Sequence, residues 1–119
     1  MATFSKSTLS GSTDGKAILV AATATAGTLI HTGPTVTTSF HEVWLYAVNT
    51  STSNVKLTIE WGEATAPNGN IEYTVAAENG LYLIVPGLLL KGNATALTVK
   101  AFAATTNVIA IHGFVNQIV

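Results

Sequence analysis

Acid-base chemistry near neutral pH needs side chains that titrate there, and the chain offers three: His31, His41 and His112. Each sits among apolar and β-branched residues, the setting of a strand. His41-Glu42 does not open a His-Glu-x-x-His zinc helix, because the position of the second histidine holds Leu45 and the segment reads as strand. A symmetric oligomer that gathers copies of one histidine around its axis is the remaining route to a metal. Hydrogen-bonded or surface histidines are the expectation instead, and no metal site is assigned. The carboxylates Glu60 and Glu63 flank Trp61, as a sugar-cleaving pair beside an aromatic platform would. Glu60, however, falls on the solvent-facing alternation of a strand and Glu63 in a loop, so both read as solvated charges. Hydroxyls are plentiful, yet no Gly-x-Ser-x-Gly elbow and no helix N-terminus for an oxyanion hole can be found. The sequence therefore points away from an enzyme and implies no cofactor.

Recognition is the other chemistry on offer. Trp44, Tyr46, Trp61, Tyr73 and Tyr82 present flat apolar rings with polar edges, suited to a sugar, a core or a subunit interface. Trp44 is assigned to the core, and Trp61, at a strand end, to an exposed anchor. Phe4, Leu9, Trp61, Tyr73 and Tyr82 form the candidate interface set. The sequons Asn49-Thr50-Ser51 and Asn93-Ala94-Thr95 are expected by chance in so threonine-rich a chain.

Composition narrows the classes. The chain has 119 residues, of which 48% are apolar, enough for one domain with a real core. Charged residues make up only 9%, against roughly 25% in an ordinary soluble domain. Thr, Ser and Asn supply the polarity, and Thr favours strands. The five basic residues are all lysine, so the bidentate arginine fork that grips phosphate is missing. With a net charge of −1, no electrostatic footprint for nucleic acid exists. Cysteine is absent, which removes disulfides and thiolate metal sites. Oligomerisation is then the expected source of extra stability, and it would cover a charge-poor surface. Residues 1 to 15 lack the apolar run of a secretory signal, and the longest apolar stretch, Leu81 to Leu90, is too short and too broken to span a bilayer. No membrane partner is expected.

The elements that must position these residues are strands. Residues 1–15, with few large apolar side chains, read as a loosely held N-terminal arm, and 16–119 as the single folded domain. Lys16 to Ala22 and Gly27 to Thr32 are expected strands. Phe40 to Val48 and Val55 to Trp61 are expected to pair as a hairpin through the polar loop 49–54. Val55, Leu57, Ile59 and Trp61 alternate with Lys56, Thr58 and Glu60, whereas the preceding strand is apolar on both faces and should be covered on both sides. Ile71 to Val75 follows a turn at Asn68-Gly69. Leu81 to Val85 and Leu88 to Lys91 read as two strands split by Pro86-Gly87. Ala96 to Ala103 and Val108 to Val119 form an expected closing hairpin, with Gly113 at a bulge or close backbone approach. Seven to nine such strands without a helix indicate an all-β fold, a β-sandwich of jelly-roll or Greek-key type.

From Phe40 to Val119 the pattern resembles small structural proteins of tailed-phage virions. The resemblance rests on the strand Val43 to Asn49 entering a Ser/Thr/Asn loop, on Val55 to Glu60, and on the bend at Val85-Pro86-Gly87-Leu88-Leu89-Leu90. The closing segments Leu97 to Ala103 and Val108 to Val115 complete it. It implies a capsid decoration (cement) protein or related head or tail appendage, a homotrimer seated on the major capsid protein, localised to the virion after assembly in the host cytoplasm. A carbohydrate- or receptor-binding module of a phage appendage is the alternative. The resemblance carries no catalytic or binding motif, and no functional residue is transferred from it.

Overall fold

The computed structural model describes residues 2–119, and among them every regular element is a strand. Nine strands occur: β1 Phe4–Thr8, β2 Ile18–Leu19, β3 Thr28–Thr32, β4 Phe40–Asn49, β5 Val55–Trp61, β6 Asn70–Val75, β7 Tyr82–Lys91, β8 Thr98–Ala103 and β9 Ile109–Ile118. They form two antiparallel sheets. Sheet I has the order β1-β9-β4-β7, with β2 also on β9, and sheet II has the order β3-β8-β5-β6. β1 pairs with residues 114–118 of β9 and β2 with 110–111, so the two short strands share one edge of β9. Taken as one interrupted strand, they leave eight strands in two four-stranded layers. Except at the β5–β6 hairpin, each following connection passes from one sheet to the other. This is the doubly wound jelly roll.

Alternation builds the core. Val43, Leu45 and Ala47 of β4, with Ile109, Ile111 and Val115 beside them on β9, face Leu57 and Ile59 of β5 and Val99, Ala101 and Ala103 of β8, all essentially inaccessible to water. Because the side-chain period is two, one slipped residue in any of these strands would turn its apolar row outward.

Both expected hairpins are instead arches between the sheets. β4 pairs with β7 and β9, while β5 pairs with β6 and β8, so the loop 49–54 crosses the sandwich. Asn49 explains the crossing. Its buried side chain donates to the carbonyls of Ser53 (2.8 Å) and of Val75 on sheet II (2.9 Å), and accepts from the Ser51 amide at 3.0 Å. β8 and β9 likewise lie in different sheets. A polar loop of that length serves an arch as readily as a hairpin, and only the second strand's pairing preference separates the two.

Two further differences concern strand extent. The Pro86-Gly87 bend does not split a strand: β7 runs continuously past it, absorbing the disruption as register shifts against β4. Gly87, at φ +76°, supplies the left-handed residue, and its Cα packs on Trp44. Lys16 to Ala22 contributes only the two-residue β2. Gly113 meets the expectation of close approach, since a Cβ there would overlap the carbonyl of Trp44 on β4.

The leading segment is more ordered than a loose arm. Residues 4–8 are β1, paired along their length with β9, and Leu9 is 1% exposed within the core. A single apolar residue in a Ser/Thr/Gly stretch gives no periodic signal, yet it fills a hole the sheets leave open. Replacing Leu9 with alanine should therefore cost about 2–5 kcal/mol in urea unfolding, the range for a buried leucine. No change in the unfolding midpoint would show that the segment is held loosely.

Candidate functional site

An outer sheet face is normally polar in a two-layer sandwich. Sheet II conforms. Its β5 carries Lys56, Thr58 and Glu60 outward, opposite Thr74, Glu72 and Asn70 of β6, with a surface ion pair between Lys56 and Glu72 at 3.1 Å.

Sheet I does not conform. The outward residues of β4 are Phe40, Glu42, Trp44, Tyr46 and Val48, all only half-buried. Across the strands they form rows. Lys91, Phe40, Ile118 and Phe4 make one; Leu89, Glu42, Asn116 and Lys6 the next; Pro86, Trp44, Phe114 and Thr8 the third; Leu83, Tyr46 and His112 the fourth. The strand that reads as covered on both sides is thus covered on one. Nothing among the described residues lies over the other.

The polar atoms at the centre of this face are already engaged. Glu42 Oε1 accepts from Trp44 Nε1 at 2.7 Å and from Asn116 Nδ2 at 2.8 Å. These bonds, first from Asn116 and then from Trp44, hold the Glu42 carboxyl below the usual range. Trp44 and Phe114 stack with centroids 5.9 Å apart and planes within 9°, and Lys6 Nζ lies 4.8 Å from the Phe114 centroid. An open groove of about 410 Å³, lined by Phe4, Ser5, Lys6, Glu42, Asn116 and Ile118, runs along the β1 side. The Trp44 and Asn116 donors thus have partners within the chain, while the charges of Glu42 and Lys6 are what a covering surface would have to match.

The sequence-derived interface residues are dispersed. Phe4 is 70% exposed at the end of the groove. Tyr73 of β6 and Tyr82 of β7 stack on each other at 5.1 Å, closing the side of the sandwich where the two sheet edges meet. Trp61 packs partly buried against the core, and Leu9 lies inside it. Leu9 is therefore withdrawn from the interface set, because a residue sealed between the sheets cannot meet a partner. Trp44, assigned to the core, lies on the outer face with Phe40, Tyr46, Phe114 and Leu89. The apolar character of both faces of β4 was the signal for this patch, and only the missing cover could not be read.

Three polar groups lie deeper than alternation suggests, Thr58 of β5 being one of them. Glu60 is 1% exposed, not solvated: the loop after β2 folds over it, and its oxygens accept from Thr25 Oγ1 at 2.8 Å and from the Gly27 amide at 2.7 Å. His31 is 2% exposed because a bulge between Leu29 and His31 turns it to the same side as Ile30. Its Nε2 meets Nδ1 of His41 at 2.8 Å, and its Nδ1 accepts from the Ser10 amide at 3.0 Å. Among the described residues, no group of three or more His, Cys, Asp or Glu side chains is arranged to hold a metal. No helix among them is long and apolar enough to cross a membrane.

No protein-family model, no curated protein and no solved structure matches the chain.

The Glu60 clamp has a direct test. Glu60→Ala leaves the Gly27 amide and the Thr25 hydroxyl without their acceptor, and should cost about 1–3 kcal/mol while raising hydrogen exchange at Gly27. Unchanged exchange at Gly27 would mean that the loop is held by other contacts.

Proposed function

We propose that this chain is a virion structural protein, a capsid decoration (cement) protein that assembles as a homotrimer and binds the major capsid protein through the outer face of sheet I. The observation that carries the reading is β4, whose outward side chains are Phe40, Glu42, Trp44, Tyr46 and Val48, with no layer over them among the described residues. Monomeric proteins rarely expose large contiguous apolar patches, and those that do use them as docking surfaces. Around β4 lie Phe4 at 70%, Leu89 at 52% and Leu83 at 38% exposure, which extend the patch to both edges of the sheet.

The composition supports the same reading. Among the described residues the rows of this face carry Lys6, Glu42 and Lys91 as their charges, few enough to suit a long-lived contact more than a transient, electrostatically steered one. A rigid sandwich without disulfides also suits a part that must persist outside the cell, where slow unfolding matters more than equilibrium stability. A sugar-binding role fits the face less well. A carbohydrate reader offers an open aromatic ring, whereas Phe114 already lies parallel to Trp44 and Gly87 packs against the indole.

Incubation with undecorated capsids should give co-sedimenting protein and capsids that resist heat longer. Leu89→Glu combined with Phe4→Glu, both exposed positions, should weaken that binding by at least about tenfold without lowering the melting temperature of the free protein. Wild-type protein that ignores capsids but binds a glycan array would replace this reading with the carbohydrate-binding one. Light scattering that shows a monomer at micromolar concentration would remove the trimer.

A further inference from the structure

The proposed docking face leaves one buried titratable cluster unused. His31 reaches inward from β3 of sheet II and His41 from β4 of sheet I, so their 2.8 Å contact spans the gap between the layers. Around it the loops of this end interlock. The Thr32 amide donates to Ser10 Oγ at 2.6 Å, Gly11 to the Ile30 carbonyl at 2.9 Å, Gly33 to Leu97 at 2.8 Å and Gly92 to Ser39 at 2.8 Å.

We propose that the His31–His41 contact is an acid-operated latch, which clasps the two sheets while both rings are neutral and releases the Ser10 turn and the neighbouring loops when either ring takes up a proton.

The argument begins with a fixed direction. The Ser10 amide can only donate, so His31 Nδ1 must be the bare nitrogen and Nε2 must carry the hydrogen. His31 Nε2–H then donates to His41 Nδ1, which places the His41 hydrogen on its own Nε2. The backbone prevents the relay from reversing. A proton on His31 sets a second N–H against the Ser10 amide, and a proton on His41 sets an N–H against His31 Nε2–H. Either event places two donors nose to nose inside the sandwich, where an unmade hydrogen bond is expensive.

No neighbouring charge softens this. Directly across the strands, His41 faces Leu90 of β7 and Gln117 of β9, and His31 faces Val99 of β8. Gln117 is tied to Ser5 and Ser7 of β1, which do not titrate in this range. The segments 9–12, 33–39 and 92–97 contain no ionisable residue. Glu42 and Lys91, adjacent in sequence to His41 and Leu90, belong to the opposite face of sheet I, where Glu42 is held by Asn116 and Trp44. Among the described residues, each ring is therefore the only titratable group that the other meets.

Burial, and then the proximity of His41, push the His31 pKa down to about 4 from an ordinary 6.5, and burial lowers His41 as well. Between those limits the unfolded chain binds a proton that folded His31 refuses, so stability is full above pH 6.5 and falls as the pH is lowered toward 4. Across that window the unfolding equilibrium constant should rise by about a hundredfold through this pair. The experiment is a pH series from 7.5 to 4.5 on the full chain, combining urea unfolding, amide hydrogen exchange and long-range proton–nitrogen NMR of the imidazoles. Wild type should show Nε2–H tautomers for both rings, titration of His31 below its ordinary value, and exchange at Ser10 and Thr32 that accelerates before global unfolding. The pair His31→Gln with His41→Asn should flatten the pH dependence, whereas His41→Asn alone, which keeps an acceptor where Nδ1 stood, should reduce it only in part, because His31 stays buried against the Ser10 amide. His112→Asn, on the outer face, should leave it unchanged. A pH dependence in the double variant as steep as in wild type overturns the latch. Should that variant not fold, the wild-type NMR decides alone: an Nδ1–H tautomer on His31, or titration at or above 6.5, sinks the proposal.

Discussion

The contact between the inner faces of the two sheets holds everything else in place. Apart from the β5–β6 hairpin, the chain from β2 onward changes sheet at each connection, so few strands can complete a hydrogen-bonded neighbour and an apolar contact locally. β4 finds its partners in β7 and β9, far along the chain, and β5 finds one of its two in β8. Such non-local pairing makes folding slow and cooperative. It also explains why the polar groups inside the molecule sit where they do. Asn49 fastens one end of the apolar seam and the histidine pair the other, each joining a sheet I strand to a sheet II element. Between these ends Val43, Leu45, Ala47, Leu57, Ile59 and Ile111 pack without a polar atom among their side chains.

This division of labour shapes the outside. The outer face of sheet II is mostly polar, with Leu29 and Phe102 as its apolar members, and its buried carboxylate, Glu60, is roofed by the chain itself through Thr25 and Gly27. Sheet I lacks an equivalent roof. Its aromatic rows are ordered by stacking and by the bifurcated acceptance at Glu42, so they hold their shape in the free chain. A preorganised face loses little side-chain freedom on docking, which is the usual cost that erodes affinity.

Much of this was legible in the residues, for reasons that also set the limits. The inward rows of β4, β5 and β8 follow strict alternation, and they define the core without ambiguity. β4 announced its unusual outer face through Trp44 and Tyr46, although its cover had to come from elsewhere. Three features were hidden because each depends on a distant segment. His31 alternates outward on paper and turns inward only through the bulge beside Leu29. Glu60 alternates outward too, and the loop that buries it lies 33 residues earlier in the chain. Leu9 stands alone among small polar residues, and its burial follows from the pairing of β1 with the far C-terminal strand. The arches were misread as hairpins for the same reason, since a loop records how the chain leaves a strand and not which sheet it enters.

Pro86 carries a consequence for how copies of this chain can associate. It sits midway along β7, the free margin of sheet I, and withholds an amide hydrogen there, while the register slips on both sides of it bend the strand away from straightness. An incoming strand from another molecule could therefore zip along only a few residues before losing step. Growth by endless strand addition, the route to fibrils, is thus disfavoured at this margin.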